Sequence, residues 1–183
     1  MSILSIKHHE KYGEPEIPIF DFCLPTLLGK VVGGFPELPP GRITVWLRNQ
    51  PTLSTVTVTD DEAVINLHAV LNHDQTPEQV IGFILRHELL HIIFPAREVD
   101  GRQTHHPPEF RHAEHYFADR VAAWNWLWIT FGSYLISDKK RECTFVNRKW
   151  KNHMNEKRLS LDEIKAILCP ADVLRNLEDK FFL

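Results

Sequence analysis

Residues 76–95 read Thr76-Pro77-Glu78-Gln79-Val80-Ile81-Gly82-Phe83-Ile84-Leu85-Arg86-His87-Glu88-Leu89-Leu90-His91-Ile92-Ile93-Phe94-Pro95. Thr76 is a capping residue, Pro77 suits the first helical position and Gln79 completes a capping box. The stretch therefore predicts a helix that starts here and that Pro95 stops. Val80, Ile84, His87 and His91 fall on one row, while Leu85, Leu89, Ile92 and Ile93 fill other faces. A helix that is apolar nearly all round is a buried helix. Inside it, His87-Glu88-Leu89-Leu90-His91 is an HExxH run. Positions i and i+4 share a face, so both imidazoles can reach one cation. Glu88 then lands beside a coordinated water, where a carboxylate can take a proton. The bland alternative is a pair of hydrogen-bonded core histidines, in a chain that has 11 His among 183 residues. Two histidines and an acid on a buried helix need partners in either case, because unpaired polar groups there are costly.

A catalytic zinc site usually takes three protein ligands and a water. The metzincin continuation, a Gly and then a His, is absent: Phe94 and Arg97 stand there. Downstream donors are His105, His106, Glu109, His112, Glu114 and His115. Pro107 to Ile129 reads as a second helix, with Phe110, Ala113, Phe117, Val121, Trp124 and Trp128 as its core stripe. On that wheel His112, His115 and Asp119 point away, and His115 and Asp119 form an exposed i,i+4 pair. Trp126 points away from the Trp124 and Trp128 face and is expected to be exposed. Glu114 flanks the stripe. His106 lies just before the helix, between an Asp100-Gly101 turn and Pro107-Pro108, and a loop there can swing back to the first helix. Residue types and spacing leave both His106 and Glu114 open as third ligand. Tyr116, Arg111 and His112 are near enough in sequence to be considered as oxyanion stabilisers, and helix geometry favours none of them. Glu114 and Asp119 are the candidates to orient a ligand ring from behind.

Several stretches taken together resemble the SprT-like metallopeptidase family. They are Ile65-Asn66-Leu67-His68-Ala69-Val70-Leu71, then Thr76-Pro77-Glu78-Gln79, the HExxH run, Gly101, and His106-Pro107-Pro108-Glu109-Phe110, within residues 43–120. The YgjP-like metallopeptidases, with a similar His-x-x-x-Phe element, are the second resemblance. The first implies a zincin-like α+β fold: a small β-sheet packed on the HExxH helix and a second core helix, with extra C-terminal helices. It also implies a zinc-dependent peptidase with Zn2+ on His87, His91 and His106, Glu88 as general base, and a protein or peptide substrate. A carboxylate third ligand, Glu114, is the gluzincin alternative. Some SprT-like proteins carry a four-cysteine zinc ribbon; Cys23, Cys143 and Cys169 are too few and too scattered for one. The rival class is a non-catalytic metal-containing module that binds nucleic acid or a protein partner. Glu88 separates the two, since a structural zinc needs no acid beside its ligands.

The rest of the chain divides into a Pro-rich arm (1–42), a core (43–136), and a basic segment with C-terminal helices packed on the core (137–183). The arm holds six of the 12 prolines and one short helix near Thr26 to Val32, and is expected to hug the surface rather than cover the cleft. Residues 43–47, 55–59 and 62–67 are strand-like, with a turn at Asp60-Asp61. An edge strand near Ala63 to Leu67 is the expected place for an extended peptide to pair. The stretch 139–158 is basic and interleaved with Phe145 and Trp150, which makes weak nucleic-acid contact conceivable beside the plainer reading of a solvated face. Net charge is −3, which excludes polyanion binding by bulk charge. Ser160-Leu161-Asp162-Glu163 is a capping box, and Val173, Leu174 and Leu177 mark a second tail helix. Three dispersed cysteines, with Cys23 expected as a buried thiol, and the lack of a long apolar run point to the cytoplasm and to no membrane span.

Overall fold

The computed structural model describes residues 14–99 and 101–167. In chain order these form α1 (Leu24–Gly33), β1 (Arg42–Arg48), β2 (Ser54–Val58), β3 (Glu62–His68) and α2 (Glu78–Ile93). A second group follows: β4 (Arg97–Val99), β5 (Arg102–Thr104), α3 (Pro108–His115), α4 (Arg120–Phe131), β6 (Leu135–Asp138), β7 (Cys143–Val146) and α5 (Leu161–Ile167). The architecture is α+β. No described helix is long and apolar enough to cross a membrane.

The HExxH helix α2 sits at the centre. Val80, Ile81, Phe83, Ile84, Leu85, Leu89 and Leu90 are all buried, so apolar side chains meet neighbours on nearly every face. α1 covers one side, α4 another, and the three-stranded sheet lies beneath. The helix start differs from the expected capping box. Pro77, in extended conformation, is the N-cap residue, and no side chain caps the helix. The Thr76 hydroxyl is spent inward: it donates to the Leu71 carbonyl at 2.8 Å and accepts from Arg158 at 3.2 Å.

The sheet order is β1-β3-β2, with β1 and β3 parallel and β2 and β3 antiparallel. β3 is therefore the middle strand, not the edge. Its Ala63 to His68 are all buried, as suits a near-continuous apolar run with a strand on either side. The Thr/Val alternation of β2, half-buried along most of its length, is what an edge strand needs, and β2 takes that place. The arm runs along the far edge: Glu16 N–H donates to the Leu47 carbonyl at 2.8 Å and Ile19 N–H to Asn72 Oδ1 at 2.9 Å. Cys23 is exposed rather than buried, because it occupies the N-cap of α1.

The single helix expected over 107–129 is two. α3 closes at Tyr116, and α4 restarts at Arg120. Between them Phe117 turns inward, edge-on to Phe35 and Phe83 at 6.3 and 6.4 Å. Asp119 pairs with Arg86, not with His115. The break also resets the helical wheel. Trp126 is fully buried with its Nε1 donating to the Leu159 carbonyl, while Trp124 and Trp128 are half-buried, the reverse of the single-helix reading. Arg158 is buried and lies over the Phe131 ring, which removes it from the exposed basic set in 139–158. The Ser160 capping box forms as read: Ser160 N–H donates to Glu163 Oε2 at 2.7 Å, and Glu163 N–H to Ser160 Oγ at 3.2 Å. The second tail helix, at Val173 to Leu177, lies outside the described residues.

His68 ends β3 and steers the chain toward α2. Its Nδ1 accepts from Val70 N–H at 2.8 Å, closing a 3-10 turn over Ala69–Leu71. Burial lowers its pKa from 6.5 to about 4, against a hydrogen bond with the Gln50 backbone. The folded state thus prefers the neutral ring. Its contribution is fully present above the unfolded value of 6.5 and is lost as pH falls from there toward about 4. His68→Asn keeps an acceptor for Val70 and cannot titrate. Over that window the wild type is expected to lose on the order of 3 kcal/mol more stability than the variant. Urea denaturation of the metal-free proteins at each pH checks this, and parallel curves would refute it.

Candidate metal centre

His87 and His91 project from one face of α2, as their i,i+4 spacing requires. His106 comes from the bend between β5 and α3. One ligand-capable nitrogen from each of the three lies within 4.8 Å of the other two. The ring centroids are 5.0 Å apart for His87–His91 and His87–His106, and 4.9 Å for His91–His106. Phe110, in the first turn of α3, is fully buried and touches all three rings, with centroids 4.5–5.0 Å away. It keeps water from one side of the cluster and limits how the rings can turn.

Groups behind the rings fix their orientation. Glu114 Oε1 lies 2.5 Å from His87 Nδ1, which leaves Nε2 as that ring's open donor atom. Glu114 thus stands behind a candidate ligand and is not in the three-histidine cluster. His91 is held by a hydrogen bond with the His105 backbone. Glu142, from the turn between β6 and β7, accepts from the His105 and His106 N–H groups at 2.6 and 2.9 Å. Glu88 is 2% exposed, on the floor of the same cleft, and hydrogen-bonds with Ser54 at the start of β2.

Charge follows from this packing. Burial, helped by the charges of His87, His106 and His105, lowers the His91 pKa to about 2, and burial with the His87 charge lowers that of His106 to about 4. Burial also disfavours charge on His87, but the Glu114 hydrogen bond and the nearby carboxylates outweigh it and raise that pKa. Burial raises the pKa of Glu88, against His87 and Ser54, while the same His87 contact lowers that of Glu114 despite burial. Two of the three imidazoles are thus neutral at pH 7, the form that binds metal. Three converging imidazoles, with His87 hydrogen-bonded from behind by Glu114 and His91 held by the His105 backbone, are a donor set that fits one cation.

The cluster lies in a cleft of about 1140 Å³. β2 and its approach form one wall, the β6–β7 turn with Lys139, Lys140 and Arg141 another, and Phe83, Trp124 and Trp128 an apolar end. Among the described residues of the arm, none from 14 to 41 lines it. His105, Arg111 and His115 also line the cleft. His115 is exposed and outside the three-histidine cluster, as the helical wheel had it, although its expected pairing with Asp119 does not form. Glu109 is occupied by Arg97, with its Oε1 2.6 Å from Nη2, and Tyr116 is 71% exposed. Spacing could not have found Phe110 as the packing surface of the rings, or Glu142 at all. Comparison of the chain with protein-family models, curated proteins and solved structures yields no significant match.

Replacing a ligand and replacing the group behind it differ in degree. Glu114→Ala is expected to weaken divalent-metal affinity about 10–100-fold, and His106→Ala by more than that. Titration against a chromophoric chelator measures both. A larger loss in the Glu114 variant would make the carboxylate the third ligand.

Proposed function

We propose that this chain is a zinc-dependent metallopeptidase of zincin-like architecture. The observation that carries the reading is the joint placement of His87, His91 and His106 with Glu88 on the floor of one open cleft. Three imidazoles suit zinc among the common divalent ions. His87, His91 and His106 would hold the ion, and when bound it would supply Lewis acidity that brings a water's pKa to about 7. The likeness of the His106-Pro107-Pro108-Glu109-Phe110 stretch to the SprT-like pattern supports the same assignment.

The chain's own residues then divide the work. Glu88 takes the proton from the attacking water and returns it to the leaving amine, so that one carboxylate serves both halves of the hydrolysis. Its bond with Ser54 limits its swing. Glu114 keeps His87 in the tautomer whose Nε2 faces the cluster. β2, which borders the cleft as an edge strand, offers backbone groups to an extended peptide, and main-chain pairing makes such binding tolerant of sequence. A non-catalytic module would have no use for an acid at Glu88, and among the described residues the cluster has three ligand histidines rather than a closed set of four.

Glu88→Gln removes the base and keeps the shape. Zinc content and thermal midpoint are expected to stay near wild type, while hydrolysis of casein or a quenched peptide falls by about 10²-fold or more. A variant that cleaves as well as wild type would remove Glu88 from the mechanism.

A further inference from the structure

We propose that Glu142 is the positioning residue for the third metal ligand: it clamps the bend at 104–106 so that His106 faces His87 and His91. The proposal rests on the reading of these three histidines as ligands. Glu142 is 36 residues from His106 in the chain and belongs to no part of the HExxH pattern. Its carboxylate is nonetheless fully engaged there. Oε2 accepts from Thr104 Oγ1 at 2.8 Å, from His105 N–H at 2.6 Å and from His106 N–H at 2.9 Å, and lies 3.9 Å from His106 Nδ1. Oε1 accepts from Arg111 Nη2 at 2.5 Å, and Arg111 Nε in turn donates to the His106 carbonyl at 3.0 Å. One side chain thus ties together the strand before the ligand, the ligand's own backbone and the helix after it.

Two further observations make this more than a surface ion pair. Glu142 has φ +51°, the one non-glycine residue in the left-handed region among those described. Such a conformation costs free energy and persists where surroundings over-determine it. Here the surroundings are the donors of 104–111. The hairpin that presents Glu142 is also anchored at its other end: Val146 N–H donates to the Pro51 carbonyl and Leu53 N–H to the Thr144 carbonyl, both at 2.8 Å. The next residue, Ser54, holds Glu88. The β6–β7 hairpin therefore spans the cleft, from the segment that holds the acid to the bend that carries His106. His105 and His106 lie in no helix or strand, so their N–H groups depend on this outside acceptor.

A carboxylate can accept every one of these bonds, and an amide cannot. Glu142→Gln would turn an NH₂ group toward some of the donors, and Glu142→Asp keeps the charge but is one methylene short. The test is Zn2+ affinity of the full chain by chelator competition, in the wild-type and His106→Ala backgrounds. Affinity is expected to fall about 10–100-fold in Glu142→Gln and by less in Glu142→Asp. In the His106→Ala background, either Glu142 change should have almost no further effect, because the residue acts through that ring. A general structural role would lower affinity equally in both backgrounds, and that result would overturn the proposal, as would wild-type affinity in both Glu142 variants. If Glu142→Gln fails to fold, the Glu142→Asp cycle decides on the same terms. A His106→Ala protein that binds Zn2+ like wild type would instead remove the ligand assignment and the clamp with it, whereas loss in His106→Ala without coupling removes the clamp alone.

Discussion

Everything in this molecule is arranged around the burial of one helix. Glu78–Ile93 meets α1, α4 and the sheet, and the side chains from Val80 to Leu85 and at Leu89 and Leu90 are removed from water. Each large apolar side chain fully buried contributes about 1.5–3 kcal/mol before the entropy of ordering is subtracted. A rotation of the helix by one residue would bring Leu90 or Ile92 to the cleft in place of His91. The packing of the apolar faces therefore fixes the direction of the imidazoles. The HExxH spacing supplies a common face, and the core decides that this face is the open one.

The third histidine is placed by different physics. His106 comes from a bend, where little apolar burial holds the backbone, and its position is set by hydrogen bonds and by the stiffness of Pro107-Pro108. Phe110 joins the two halves of the site. It is anchored in α3, fully buried, and in contact with all three rings. A site built in this way has one rigid side, governed by packing, and one side whose geometry depends on directional polar contacts.

Legibility in the sequence follows the range of the interactions. The three sheet strands, the short helix of the arm, α2 and the Ser160 cap were readable because each is specified by residues within a few positions: period-two alternation, proline punctuation, a reciprocal Ser/Glu pair. The break between α3 and α4 was not readable. It depends on Phe117 meeting Phe35 and Phe83, and Phe35 lies more than eighty residues away. Once that break was missed, the wheel carried the error forward to Trp126 and to the pairing of Asp119. The edge position failed for a related reason: strand order is a property of the sheet, although the buried run Ala63 to Leu67 against the Thr-rich β2 held the hint. Of the site, Glu88, His87 and His91 are local. His106 rests on a longer pattern, and Glu142 leaves no local trace, since nothing in Lys140-Arg141-Glu142-Cys143 marks it apart from other acids.

The balance of charge in the cleft bears on why a cation belongs in the proposed reading. Glu88 and Glu114 are both nearly or largely withdrawn from water, within a cluster whose His91 and His106 are neutral at pH 7. Buried carboxylates are costly without a positive partner. Three nearby arginines are engaged elsewhere, Arg111 by Glu142, Arg86 by Asp119 and Arg97 by Glu109, while the buried Arg120 lies close enough to favour the charged form of Glu114. His87 shares its proton with Glu114 and so offsets only one of the two acids. A divalent ion among the three imidazole nitrogens would sit close to both, and would favour the ionised form of Glu88 that a base requires.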